Sequence, residues 1–248
     1  MDKMLFIAMN GAKQAMQAQA TISDNLANIS TVGFKASLDT FTNWHVEGPG
    51  YKTRVYNQFE NQGTDMSAGN FVTTDRELDV AVRGEGWIGV RATNGEEAYT
   101  RAGDLRLDAV GRLTTGAGHP VMGNAGPIVI PPAQKIEIGA DGSISIIPVG
   151  QTADTMAITD RIKLVNPDAS KMQKGLDGLM WFVDGQQLKA NPDAKVNLAS
   201  GVLEHSNVNA VSELVELIQN SRQFETNVKL MRTAQENDEV SARLLRNS

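Results

Sequence analysis

The chain has no cysteine among its 248 residues, which excludes disulfides and thiolate metal centres. Aromatic residues make up only 5%, so whatever core forms is aliphatic. There is no long basic run and the formal charge is −6. The electrostatic footprint of a nucleic-acid binder is therefore missing, and no nucleic-acid partner is expected. No apolar stretch approaches the roughly 18 residues that a membrane span needs, so no direct span is expected either. Near the start, Lys3 precedes an apolar run over residues 4–9, and Ala18-Gln19-Ala20 mimics a cleavage site. That run is too short for a signal peptide and Lys13 interrupts the space before the site, so no cleaved signal is expected.

The chain does have two ends with one pattern. Residues 2–28 and 211–246 both read as amphipathic helices with a coiled-coil period. Heptads numbered from Leu5 place Leu5, Ala12, Gln19 and Leu26 in one row and Ala8, Ala15, Ile22 and Ile29 in the other. Most of these are small and allow another helix to come close. Ser30, Thr31 and Gly33 end the pattern, and Gly33 is free to take positive φ. The second helix has Asn209 as N-cap, Glu213 in its first turn and Arg243 and Arg246 in its last, the polarity the helix dipole favours. Its seam runs Leu214, Leu217, Ser221, Phe224, Val228, Met231, Gln235, Asp238, Ala242 and Leu245. Polar residues at Gln19, Ser221, Gln235 and Asp238 leave two readings open. Either these are surface helices packed once on a globular core, or their seams are completed by other subunits and are marginal in isolation.

Between the ends the period changes. Residues 35–75 show little periodicity and carry Gly48, Pro49, Gly50, Gly63 and Gly69, the composition of an extended connector. Leu78, Val80 and Val82 then alternate as a strand, and Gly84-Glu85-Gly86 followed by Trp87 predicts a hairpin. Leu105 and Leu107 turn through residues 108–111 and return at Leu113. Ile136 and Ile138 are set to face Ile144 and Ile146 across Gly139-Ala140-Asp141-Gly142. Further strands are expected over residues 162–165 and 179–183, separated by Asn166-Pro167-Asp168. The expected fold is mixed and mainly β: a central β-sandwich or distorted barrel flanked by N- and C-terminal helices that pack as a coiled coil in an assembly. The expected divisions are 1–34, a connector over 35–75, a β domain over 76–203 and a second helix over 204–248.

Candidate catalytic groups are sparse. His45, His119 and His205 stand in separate contexts, without the i, i+4 spacing of a helical zinc site. Gly84-Glu85-Gly86 is followed by Trp87 rather than by a helix, which rules out a dinucleotide fingerprint. Asp141 and Asp184 each precede a glycine, as in hairpin turns. Asp75, Glu77 and Asp79 share one strand face and are the remaining route to cation binding or glycoside hydrolysis. Strand-edge charge that discourages aggregation is their commoner use. No catalytic residue, metal or cofactor is expected. A β-rich surface binding module using Trp87 or Trp181, or a glycosidase-like site on the three carboxylates, leaves both ends of the chain unexplained.

Six strings occur in a telling order: NLANISTVGFK at 25–35, RELDVAVRGEGWIGV at 76–90, YTRAGDLRLD at 99–108, GHPVMGNAGPIVIP at 118–131, SGVLEHSNVNAV at 200–211 and SRQFE at 221–225. Together they resemble the bacterial flagellar rod and hook proteins over nearly the whole chain. The signature positions are Asn25, Leu26, Ala27, Asn28, Gly33 and Phe34, then Ser206, Asn207, Val208, Arg222, Phe224 and Glu225. The length lacks the large central insertion of a hook protein. SRQFE, where distal-rod members carry a Gln-Arg-Ala-Tyr-Glu-like string, favours the proximal rod, with the distal rod as the alternative. Val32 stands where the family usually has Pro, and it leaves φ freer.

The resemblance implies a structural axial protein of the flagellar basal-body rod, without enzymatic activity. It implies terminal helices that form an inner tube, a β domain outside it, and torque transmission across the periplasm. It also implies export through the flagellar type III apparatus without a cleaved signal. The implied partners are copies of itself, other rod proteins and that apparatus. The expected interface sets Leu5, Ala8, Ala12, Ala15, Ile22 and Leu26 against Leu214, Leu217, Phe224, Val228 and Met231 of the same and adjacent subunits.

Overall fold

Small residues at heptad spacing and a break at residues 30–33 give a first helix, α1, over Met4–Ala27. The computed structural model describes residues 4–45, 55–150, 156–183 and 190–246. Strands β1 (Ser37–His45) and β2 (Val55–Thr64) follow and pair with each other. They occupy the stretch read from sequence as a connector, whose Gly48, Pro49 and Gly50 lie outside the described residues. The last helix, α2, spans Ala210–Arg246. Its cap is Asn209, whose Oδ1 accepts the Val211 and Ser212 amides at 3.0 and 3.3 Å. These two helices and two strands make one compact unit, Met1–Ala27, Ser37–Gly63 and Asn209–Ser248.

The other unit, Asn28–Ala36 and Thr64–Val208, carries the remaining strands. In chain order these are β3 (Phe71–Thr73), β4 (Val80–Arg83), β5 (Trp87–Arg91), β6 (Glu97–Thr100), β7 (Leu105–Leu107) and β8 (Leu113–Thr115). After them come β9 (Ala133–Ile138), β10 (Ser143–Pro148), β11 (Ala157–Arg161), β12 (Leu164–Val165), β13 (Met172–Lys174) and β14 (Met180–Phe182), then β15 (Asn197–Ser200) and β16 (Val202–Glu204). A five-stranded sheet runs β12-β5-β6-β14-β13 and a three-stranded one β11-β10-β9, while β15-β4, β16-β3 and β7-β8 are two-stranded.

The expected mixed, mainly β architecture with a helix at each end is present. The barrel alternative is corrected: among the described residues no sheet closes. The cause lies in residues 118–131, where prolines without an amide proton interrupt any long ladder. That stretch forms no named strand and joins its neighbours through isolated bridges such as Thr114↔Pro120, Val90↔Val121 and Arg112↔Val129.

Two local expectations had different outcomes. Ile138 pairs with Ile144 and Ile136 with Ile146, the register read from the Asp-Gly turn. Leu107 likewise pairs with Leu113. The hairpin across Gly84-Glu85-Gly86 does not form: β4 pairs with β15, and β5 with β6 and β12. Gly84 and Gly86 both take positive φ, 75° and 136°, and carry the chain from one sheet into another. Val80, Ala81 and Val82 are all buried, so β4 is covered on both faces and its alternation carried no pairing information.

The core of this unit is aliphatic, as the composition requires. Val80, Val82, Ile88, Val90, Leu105, Leu113, Ile128, Ile144 and Ile162 are among its buried members, each contributing about 1.5–3 kcal/mol on burial. A second cluster brings the aromatics Trp87 and Tyr99 together with Val165, Met172 and Met180. There Tyr99 meets Phe182 edge to face at 5.7 Å.

Candidate assembly interface

Small side chains bring the two long helices together. Ala8, Ala12, Ala15 and Ile22 are buried on α1, which packs on α2 and on β1. Gly11 belongs to the same face: a Cβ there would stand 2.9 Å from Asn227 Nδ2. Asn25 Nδ2 donates to Glu213 Oε1 at 3.2 Å. Because Gly11 is level with Asn227 and Asn25 with Glu213, the pair is antiparallel. The same register brings Met4 level with Ala234. Residues 235–246 of α2 therefore run on past the described part of α1 by about 18 Å.

The inner face of α2 is Glu213, Leu217, Asn220, Phe224, Asn227, Met231, Ala234 and Asp238, each buried or half-buried. The spacing alternates four and three, a heptad seam. One row matches the sequence reading. The other lies one residue earlier than expected, so Glu213, Asn220 and Asn227 stand inside in place of Leu214, Ser221 and Val228. Gly11 makes the physical difference, because its missing side chain gives Asn227 its place. Glu213 Oε2 and Asn227 Nδ2 are buried there with no hydrogen-bond partner among the described residues. Burial raises the Glu213 carboxyl above its usual range, with the Asn25 hydrogen bond opposing it.

Of the residues assigned from sequence to the interface, Ala8, Ala12, Ala15 and Ile22 are buried in this helix pair. Leu26, Leu217, Phe224 and Met231 are half-buried. Leu5, Leu214 and Val228 are exposed, 38%, 45% and 42%. Phe6, Met9, Met16, Val215 and Ile218 are exposed with them, as are Val240 and Leu244 beyond Ala234. The side chain of Leu245 lies outside the described residues.

The signature residues divide between the two units. Asn25 serves α1, β1 and α2 together: besides Glu213 it accepts the Ser37 amide at 2.8 Å and donates to the Ser37 carbonyl at 3.0 Å. In the second unit Gly33 has φ 67°, and its amide donates to the Glu204 carbonyl at 2.7 Å. Phe34 packs with Ala36, Val208 and Ile29 beneath Lys174 Nζ, 3.5 Å from the ring centroid. Asn207 Oδ1 accepts the Ala36 amide at 2.7 Å and Nδ2 donates to the Asp65 carbonyl at 3.0 Å. The Ser206 hydroxyl accepts the Val208 amide. Ala27, Arg222 and Glu225 are exposed, and Asn28 is half-buried.

Sequence reasoning missed the most buried charge in the second unit. Glu204 is fully buried and accepts from Lys35 Nζ at 2.7 Å, Arg101 at 3.0 Å and the Gly69 amide at 3.1 Å. Lys35 Nζ also donates to the Ser67 carbonyl, and Arg101 to the Gly84 carbonyl. Arg101 lies over the Trp87 ring at 5.3 Å. The available signal was that Lys35, Arg101 and Glu204 each lie inside a different signature string.

The catalytic candidates are scattered. Asp79 is buried and accepts from the Thr74 hydroxyl at 2.7 Å, while Asp75 and Glu77 are exposed. His119 and His205 are half-buried in different loops; Asp184 and the side chain of His45 lie outside the described residues. Asp141 accepts from the Ser143 hydroxyl and amide within its hairpin turn. Those bonds hold its carboxyl below the usual range.

Three domain families match along the chain: "Flagella basal body rod protein" over residues 5–35, "Flagellar hook protein FlgE/F/G D1 domain" over 81–146 and "Flagellar basal body rod FlgEFG protein C-terminal" over 199–244. The flagellar basal-body rod protein FlgF of Escherichia coli (strain K12) is 40% identical over 241 residues, covering 96% of either chain. The protein of that name from Salmonella typhimurium is 37% identical over 249 residues, covering 99% of either. The flagellar basal-body rod protein FlgG of Bacillus subtilis (strain 168) is 32% identical, covering 95% of this chain and 96% of its own.

Proposed function

The chain belongs to the flagellar basal-body rod protein family, and from that premise we propose that it is a structural axial subunit of the proximal rod, polymerising through α1 and α2 into a helical tube. Support for the proximal position is the identity to the FlgF proteins of Escherichia coli and Salmonella typhimurium, 40% and 37%, against 32% for the Bacillus subtilis FlgG. The observation that carries the mechanism is the unfinished helix pair. A seam of alanine, glycine, polar residues and a few half-buried larger side chains holds α1 on α2, while further large apolar side chains face outward on both helices. About three turns of helix standing beyond the described part of α1 are marginal in water. Both features are completed when neighbouring copies and other rod proteins pack against the outward faces as a multi-helix coiled coil.

Contacts that repeat head to tail without closing build a helical filament. Close packing of several helices around each seam would give the stiffness needed to carry torque across the periplasm. The same weak seam suits a chain exported through the flagellar type III apparatus, since little helix pairing must be undone before threading. The divisions read from sequence become, in this proposal, a core-forming unit of both termini and residues 37–63, and an outer β unit of 64–208 with its strap of 28–36.

Met9→Glu and Val228→Glu test the reading, because both side chains are exposed in the single chain. Each variant should keep the circular dichroism spectrum of the parent yet fail to enter basal bodies and fail to restore swimming. Normal incorporation and motility of both variants would overturn the assignment of these faces to the assembly.

A further inference from the structure

Lys35, Arg101 and Glu204 are at most 5% exposed, and they hold two cations against one carboxylate. Burial draws Lys35 below the usual lysine range, with the Glu204 contact working against it. Arg101 Nε is buried without an acceptor among the described residues. A cluster with surplus positive charge depends steeply on Glu204, the carboxylate that bonds both cations. Removing one partner of a buried pair leaves an uncompensated charge and is far more damaging than removing the pair. Here Glu204 faces both cations, whereas loss of Lys35 leaves Arg101 and Glu204 balanced.

The order of these residues along the chain matters. Lys35 lies in the strap that follows α1, Arg101 in the middle of the β unit, and Glu204 on β16, six residues before α2 begins. The backbone reinforces the link, because the Gly33 amide donates to the Glu204 carbonyl and β16 is the strand partner of β3. A chain that emerges from its N-terminus places both cations long before their anion. Until residue 204 arrives, docking the strap buries Lys35 beside Arg101 without the carboxylate that bonds both.

We infer that Glu204 is an arrival switch: the strap of residues 28–36 docks into the β unit only when the C-terminal segment 200–208 has been added. The strap and that segment are the two pieces of chain that adjoin α1 and α2. Their simultaneous closure reports that the chain is present through residue 208. This device is independent of the rod reading and holds for the single chain.

Hydrogen exchange on the full-length protein tests it. In native exchange, Glu204→Gln should speed the Gly33 and Ala36 amides by roughly tenfold or more, leaving those of β9 and β10 unchanged. Lys35→Met should have a clearly smaller effect. The Lys35→Met/Glu204→Gln chain, with one buried cation in place of two, should recover part of the loss. Pulsed labelling during refolding should protect Gly33 and Ala36 together with His205, after the β9–β10 hairpin. Exchange at Gly33 and Ala36 unchanged in Glu204→Gln, or Lys35→Met as damaging as Glu204→Gln, overturns the inference. So does protection of the strap in the same phase as the hairpin. Should Glu204→Gln alone fail to fold, the double variant decides: recovery of the fold supports the switch, and continued failure overturns it.

Discussion

At the level of single residues, side chains hold positions that their types alone would not mark. Gly33 and Gly84 both have left-handed φ, 67° and 75°, yet their surroundings differ. A Cβ on Gly33 would meet the Arg101 carbonyl carbon at 2.2 Å, whereas one on Gly84 meets nothing within 4 Å. Gly84→Ala should therefore cost only the backbone term, about 1–2 kcal/mol. Gly33→Ala should cost roughly 3 kcal/mol or more, because backbone must also shift. Urea unfolding followed by circular dichroism measures both, and equal losses would contradict the close approach at Gly33. The positive φ of Gly33 was legible from its place after a helix. The approach of Arg101 was not, since nothing local links two residues so far apart in sequence. Asn25 shows the same limit: its motif marked it, but its bonds to Ser37 and Glu213 come from folding.

Among the elements, α1 and α2 are held by a seam that mixes small and polar residues. Asn209→Ala should remove about 1 kcal/mol from α2 through loss of its cap, seen as a lower melting temperature of the helical signal. The carboxyls of Glu213 and Asp39 give this unit a pH dependence. Burial raises both above their ordinary values, opposed by hydrogen bonds from Asn25 and from the Thr21 hydroxyl. A carboxyl raised on folding binds more protons in the folded state. Its contribution is complete below the unfolded value, 4.5 for Glu213 and 3.8 for Asp39, and is lost as pH rises through the folded value. The helical melting temperature should thus rise as the pH is lowered from neutral toward those values. Glu213→Gln should flatten most of that rise, and a slope unchanged in this variant would mean that Glu213 is not its source.

Across the whole molecule, the chain makes two units, and both are discontinuous in sequence. The unit of 64–208 has a continuous aliphatic core, whereas the helical unit rests on alanines, one buried isoleucine, half-buried Leu217, Phe224 and Met231, and polar contacts. Limited proteolysis of the free chain should therefore cut first in α2 beyond Ala234, where Val240 and Leu244 are exposed. A fragment close to residues 64–208 should persist, and mass spectrometry of the time course identifies the order. Early cleavage within β9 or β10 with α2 intact would reverse this ranking.

Elements with local causes were already written in the order of residues. The two helices come from heptad spacing and an asparagine cap, the Ile136/Ile138 against Ile144/Ile146 register from an Asp-Gly turn, and the family from ordered strings. The aliphatic core came from the scarcity of aromatics. The partner of β4 was settled in three dimensions, because a strand buried on both faces has no polar side to orient it. So was the one-residue rotation of the α2 seam, since Leu214 and Glu213 are equally helical and the space at Gly11 selects between rows. The meeting of Lys35, Arg101 and Glu204 belongs with these. Charged residues read as surface until the fold removes water around them, and that desolvation is a property of three distant segments acting together.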